Sequence, residues 1–346
     1  MPSSTQPLAA ESLYRPLCPE ERDQGDPFVF APPSTGTRYR YYTYVTGEEA
    51  ASGRAFPVYG SNDLVRWTPL GGTLEADTTR AHWAPCVQYV PGLERPYVML
   101  YSRGQGLGED AHIGHAIRRA DAMAPEGPFT DSEHVLTPDL DFAIDPDVYR
   151  GRDGVLRLAF AVDFVDEPPL GTGIVEAPVA DDLTTLLGPY AVIARAQYDW
   201  QVYDPARRMP WKTIPGVDWT RDTVRWHTVE APAGGLISPR GEEVVLYSGG
   251  CFFGYYAVGA VVRHPQHQAA NLTEAPAISP DEGIIVLRPR PENGFYGPGH
   301  CSWITGPDGQ PYLMFHARYG SPDAPRQMGL APLRWTADSL PIAEPP

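Results

Sequence analysis

Ile144-Asp145-Pro146-Asp147-Val148-Tyr149, the turn Gly151-Arg152-Asp153-Gly154 and the run Val155 to Val162 make one block: an acid, an apolar strand, a tight turn, a second strand. Asp-Gly between apolar runs is hairpin chemistry, because glycine reaches the positive φ the turn requires. The block recurs. Gly25-Asp26-Pro27 leads Phe28-Val29-Phe30, a turn marked by Pro32, Pro33 and Gly36, and Tyr39 to Val45. Val229-Glu230-Ala231-Pro232 leads Gly235-Leu236-Ile237, a turn at Ser238 to Gly241, and Val244 to Ser248. Two more blocks lack the acid: Trp83-Ala84-Pro85 precedes Val87 to Val90 and Tyr97 to Ser102, and Gly297-Pro298-Gly299-His300 precedes Ser302 to Thr305 and Tyr312 to His316.

Repeats of roughly 40 to 50 residues, each of several short strands, are the signature of a β-propeller. One such sheet cannot bury both faces alone, so it stacks on copies of itself around an axis. The expected fold is therefore all-β: a five-bladed β-propeller over residues 25–346, with a short N-terminal extension, residues 1–24, that wraps the surface or ties the last blade to the first. The innermost strands then carry Asp26, Asp145, Glu230 and His300 to one end of a shared channel, with the three acids expected at one structural position.

The chain resembles the five-bladed propellers of glycoside hydrolase family 43, which comprises arabinanases, α-L-arabinofuranosidases and β-xylosidases. The likeness runs from about Gly25 to Pro341. It rests on the acid-led blocks, on Tyr59-Gly-Ser-Asn-Asp-Leu-Val-Arg-Trp67, on Gly127-Pro128-Phe129, on Gly297-Pro298-Gly299-His300, and on Arg326-Gln327-Met328 with Leu333, Trp335 and Pro341. Cys86 departs from it, where an acid often follows Trp-Ala-Pro.

Hydrolysing a glycosidic bond needs one carboxylic acid to protonate the leaving oxygen and one carboxylate to activate water or attack carbon. The resemblance implies Asp26 as general base, Glu230 as general acid and Asp145 as the residue that orients Glu230 and raises its pKa, with inversion at the anomeric carbon. Asp before Pro is also a common turn opener; register is what sets these three acids apart. Glu176-Ala177-Pro178 copies Glu230-Ala231-Pro232 in spelling but falls among the third block's outer strands, and Asp147 and Asp153 read as turn or surface residues.

Aromatic side chains suit sugars, offering an apolar face and a polar edge. Trp83 with its neighbour His82 begins the second block and is the candidate pocket wall, against the alternative of a Trp between blades. Phe252, Phe253 and Tyr255 are candidates for the pocket mouth, and Arg326 resembles the family's late arginine that reaches the bound sugar. For His300 a structural hydrogen-bonding role and a sugar contact stand beside a third, implied by the resemblance: a partner, direct or through water, of Ca2+ or another cation in the central channel. No cofactor is required. Cys18, Cys86, Cys251 and Cys301 lack paired zinc spacing.

A net charge of -16 argues against nucleic acid and anionic membranes as partners and favours a neutral oligosaccharide or glycoside. The first twenty residues show no basic segment followed by an apolar core, so a cytoplasmic location is expected. In that compartment the glycosylation spelling Asn271-Leu272-Thr273 carries no meaning. Residues 190–226 do not fit the repeat; they hold four tryptophans and the chain's only lysine, Lys212, and read as an insertion shaping the site's rim. Such a rim favours exo-action. The expected function is an exo-acting, inverting α-L-arabinofuranosidase, with β-xylosidase and arabinanase as alternatives within the family. A non-catalytic carbohydrate-binding propeller, or an enzyme acting on a natural-product substrate, is the alternative outside it.

Overall fold

Hairpin-linked antiparallel strands build five blades in the computed structural model, the first two joined edge to edge by a parallel pairing of residues 74–75 with 129–130; the structure describes residues 8, 13–19, 22–33, 36–49, 53–75, 79–263 and 283–343. Asn271-Leu272-Thr273 lies outside the described residues. Blade 1 holds β1 (Gly25–Phe30), β2 (Tyr41–Thr46), β3 (Glu48–Glu49), β4 (Arg54–Ser61) and β5 (Thr68–Glu75); blade 2 holds β6 (His82–Tyr89), β7 (Tyr97–Arg103), β8 (Ala116–Ala122) and β9 (Phe129–Val135). Blade 3 comprises β10 (Ala143–Arg150), β11 (Leu156–Phe164), β12 (Gly171–Pro178) and β13 (Ala191–Ala194), to which β14 (Val202–Arg207) and β15 (Val224–His227) are added. Blade 4 is β16 (Val229–Ile237), β17 (Glu243–Gly250), β18 (Tyr256–Arg263) and β19 (Ile284–Leu287); blade 5 is β20 (Phe295–Thr305), β21 (Pro311–Tyr319) and β22 (Gln327–Pro332). A last hairpin, β23 (Arg334–Trp335) with β24 (Pro341–Ile342), follows.

The apolar faces explain why the sheets form a ring. Each neighbouring pair of blades shares one apolar cluster: Phe30 and Tyr42 meet Met99 and Tyr101 between blades 1 and 2, Leu100 meets Phe160 between 2 and 3, and Ile174 meets Tyr247 between 3 and 4. Val258 meets Phe315 between blades 4 and 5, and Val29 and Tyr59 meet Met314 and Leu330 between 5 and 1. The fifth cluster closes the circle. The N-terminal segment seals that seam: Tyr14 and Leu17 donate backbone N–H bonds to Leu330 and Met328 of β22, at 2.9 and 3.0 Å, where the other blades carry a fourth strand. The chain is a five-bladed β-propeller with a short N-terminal extension.

All five inner strands carry the same bulge. Register slips by one residue between Gly25 and Phe28, Trp83 and Cys86, Ile144 and Asp147, Glu230 and Ala233, and Gly299 and Ser302. The first bulged residue is left-handed in every case: Asp26 (φ 55°), Ala84 (51°), Asp145 (58°), Ala231 (54°) and His300 (43°). None is glycine, so each costs about 1–2 kcal/mol that the surrounding ring must offset. This corrects the expected register. Asp26 and Asp145 share one position with His300, whereas Glu230 precedes it and is equivalent to Trp83.

Residues 190–226 are in part regular, since Ala191–Ala194 supplies blade 3 with its fourth strand. The remainder carries its own small core of Met209, Ile214, Val224 and Trp226.

Candidate active site

The bulges open into a cavity of about 310 Å³ at one end of the axis, whose lining includes Asp26, Trp83, Asp145, Glu230, Phe252, Tyr256, His300, His316 and Arg326. A side chain of the preceding blade takes the bulge N–H at three seams: Ala84 donates to Thr46 Oγ1 (2.8 Å), His300 to Ser248 Oγ (2.7 Å) and Asp26 to His316 Nδ1 (3.0 Å). Between blades 3 and 4 Asp145 itself does this, Ala231 N–H donating to Asp145 Oδ2 at 3.1 Å. The carboxylate of one acid thereby fixes the backbone next to another.

Asp26 is ringed by cations. Arg326 Nη1 and His300 Nδ1 each lie 3.1 Å from Asp26 Oδ1, and Arg326 is held from behind by Asp23. Burial alone would raise its pKa, but His300 and Arg326 hold the Asp26 carboxyl well below the usual carboxylate range. Burial opposes charge on His300 too, yet the carboxylates around it, Asp26 foremost, push the imidazole up to about 9. Glu230 is in the opposite state. Burial first, and the Asp145 charge second, push its carboxyl up to about 8, while Tyr256 Oη holds Glu230 Oε1 at 2.7 Å. Asp145 is itself raised to about 6, chiefly by burial. At neutral pH one cavity therefore holds an ionised Asp26 and a protonated Glu230.

The model of glycosyl hydrolases family 43 matches residues 23–341. The chain belongs to that family. A similar curated protein is the extracellular exo-alpha-(1->5)-L-arabinofuranosidase of Streptomyces avermitilis, 24% identical over 305 residues that cover 82% of this chain and 56% of the relative. The chain thus spans about half the length of that relative. Among solved structures, an alpha-L-arabinofuranosidase from Lactobacillus brevis has a TM-score of 0.70 at 18% identity, covering 98% of both chains. A thermostable family-43 glycoside hydrolase has a TM-score of 0.64 at 24% identity, covering 94% of this chain and 93% of its own. At these identities the structural likeness shows the shared fold.

Of the residues singled out by sequence, the cavity brings together Asp26, Asp145, Glu230, Trp83, Phe252, His300 and Arg326. His82 is a correction. Alternation along β6 turns it away from its neighbour Trp83, and it is buried beside Phe56 and Tyr101 in a separate polar pocket between blades 1 and 2. Trp83 stacks on His115 at 4.0 Å and lines the cavity. At the mouth Phe252 lines the cavity, while Phe253 and Tyr255 are exposed and Tyr256 points in instead. Asp147 is another correction: it is buried on the axis, where its carboxylate accepts the Gly234 N–H at 2.8 Å and burial pushes it up to about 7. Asp153 does sit in its turn, paired with Arg157. Glu176 is bonded to Tyr149 of its own blade 3 and to Arg263 of blade 4, away from the cavity.

Nothing around His300 among the described residues supports the expected cation. The His300 Nδ1 is turned to the Asp26 carboxylate, 3.1 Å away. Among the described residues no group of three or more His, Cys, Asp or Glu is arranged to hold a metal ion. Sequence reasoning missed Tyr256 and His316 as site residues. A signal existed for His316, which closes its block's second strand in register with Thr46 and Ser248.

Proposed function

We propose that the protein is an exo-acting, inverting glycosidase of the α-L-arabinofuranosidase type that releases a neutral pentose. The observation that carries the reading is the placing of two carboxyls in one cavity in opposite company, Asp26 against Arg326 and His300 and Glu230 against the Tyr256 hydroxyl and the Asp145 charge. Glu230 gives its proton to the glycosidic oxygen as the bond to the anomeric carbon breaks; Asp26 takes a proton from the water that attacks the opposite face. Asp145 holds the Ala231 N–H and adds negative charge beside Glu230, which favours the protonated acid. The cavity, about 310 Å³, suits one sugar and its leaving group more than a long chain. The similarity to the arabinofuranosidase of Streptomyces avermitilis supports the choice of sugar.

The test is a screen of aryl α-L-arabinofuranoside, β-D-xyloside and β-D-galactoside, with Asp26→Ala as control and the first-formed anomer followed by NMR. Turnover of the arabinofuranoside with inverted product, absent in the mutant, is expected. Turnover of the xyloside alone would replace the sugar, a retained anomer would remove Asp26 as base, and turnover of none with bound sugar still raising Tm would favour a binding propeller.

A further inference from the structure

The cavity wall contributed by residues 195–226 and their neighbour β11 carries an excess of positive charge. Asp163 on β11 is nearly buried and already paired with the Lys212 ammonium. Arg207, at the end of β14, is a second cation lining the same cavity; among the described residues its guanidinium makes no ion pair and no hydrogen bond, and it acts on Asp163 only through its charge. Its guanidinium instead lies over the rings of Tyr203, 4.7 Å away, and Trp226, 5.6 Å away. Stacking engages the face of the group and leaves its edge N–H donors available.

The aromatic contacts also say where Arg207 stands. Arg326, the Asp26 partner, lies 5.5 Å from the Phe252 ring; Phe252 is 6.3 Å from Tyr203; and Tyr203 carries Arg207. Arg207 is therefore two rings along the wall from Arg326, the partner of Asp26. Tyr203, the ring beneath Arg207, shares the cavity with Glu230 and feels its charge, so Arg207 stands on the side where the proposed acid releases the leaving group.

We infer that Arg207 recognises a carboxylate on the leaving group, so that the substrate is a neutral pentose joined to an acidic aglycone, either a uronic acid or an aromatic acid. A planar guanidinium edge matches a carboxylate in two parallel bonds. A phosphate dianion fits less well, because Lys212 is engaged by Asp163 and the ionised Asp26 and Asp145 lie in the same cavity. The net charge of -16 is not an obstacle, since surface charges more than about 10 Å away are largely screened at physiological salt.

The inference rests on the glycosidase reading, and its test separates the two. The ratio of kcat/KM for the 4-carboxyphenyl pentoside to that for its methyl ester is measured in the wild type, Arg207→Gln and Arg207→Lys, with the pentose that the screen identifies. The ratio cancels altered folding, and comparing it between variant and wild type cancels the different leaving abilities of the two phenols. It is expected to fall about tenfold in Arg207→Gln, to recover partly in Arg207→Lys, and to shrink in the wild type as salt rises. Calorimetric titration of D-glucuronate and of 4-hydroxybenzoate into the wild type and Arg207→Gln tells the two sources apart and reads binding without turnover. Turnover with an unchanged ratio, and no acid bound more weakly by the variant, would overturn the inference and leave the glycosidase standing. Absence of turnover with Arg207-dependent acid binding would overturn the glycosidase reading and the leaving group with it, leaving Arg207 as the carboxylate site of a binding propeller.

Discussion

Glu230 and Asp26 differ less in residue type than in company. Both are enclosed carboxyls, yet Asp26 faces Arg326 and His300 while Glu230 faces Asp145 and a tyrosine hydroxyl. The working form, ionised Asp26 with protonated Glu230, persists as pH rises only until Glu230 loses its proton near 8, and as pH falls only until Asp26 gains one. A bell-shaped kcat/KM profile is expected, its limits belonging to the interacting set. Asp145→Asn removes a neighbouring negative charge, so the alkaline limb should move down by on the order of 1 pH unit. An unmoved limb would confine Asp145 to orienting β16 through Ala231. Glu230→Gln should cost roughly 10²- to 10⁴-fold on glycosides with poor leaving groups and far less on activated aryl glycosides; equal losses on both would remove Glu230 as the acid.

The five inner strands show how a bulge becomes a device for aiming side chains. Gly25 and Gly299 stand at the position that Glu230 and Trp83 occupy in their own blades. A Cβ at Gly25 would meet Arg326 Cζ at 2.2 Å, and one at Gly299 would meet Tyr256 Cε1 at 2.1 Å. The missing side chains thus leave the space into which the partners of Asp26 and Glu230 reach. Gly299→Ala should push Tyr256 off Glu230 and lower kcat by about tenfold with the fold retained, as Tyr256→Phe should; wild-type kinetics in the alanine variant would show that Tyr256 can shift without consequence. The blocks were legible because strand, turn and strand leave a local pattern. So was the register, in hindsight: Pro27, Pro85, Pro146 and Pro232 align directly and place Glu230 one residue ahead of Asp26 and Asp145. The choice between Tyr255 and Tyr256, and the direction of His82, depended on which face of each strand meets the axis, which sequence spacing alone leaves open. Arg207 and Lys212 lay in a segment without a repeat to align.

At the scale of the whole molecule, a ring must be closed. Blade 5 has three strands of its own, and the segment carrying Leu13, Tyr14, Leu17 and Cys18 covers its outer edge and the apolar cluster it shares with blade 1. Deleting residues 1–18 should lower Tm by roughly 5 °C or more and bring activity loss with it, readable by calorimetry; an unchanged Tm would make the segment an ornament. The seam has a further consequence. The backbone of Asp26 bonds to His316, 290 residues later, and its carboxylate to Arg326, 300 residues later. On the ribosome, the proposed base emerges 290 to 300 residues ahead of the groups that set its charge. A nascent or truncated chain carries the carboxylate with its proton affinity still untuned, and hydrolytic competence becomes a certificate that synthesis has run to the final blade.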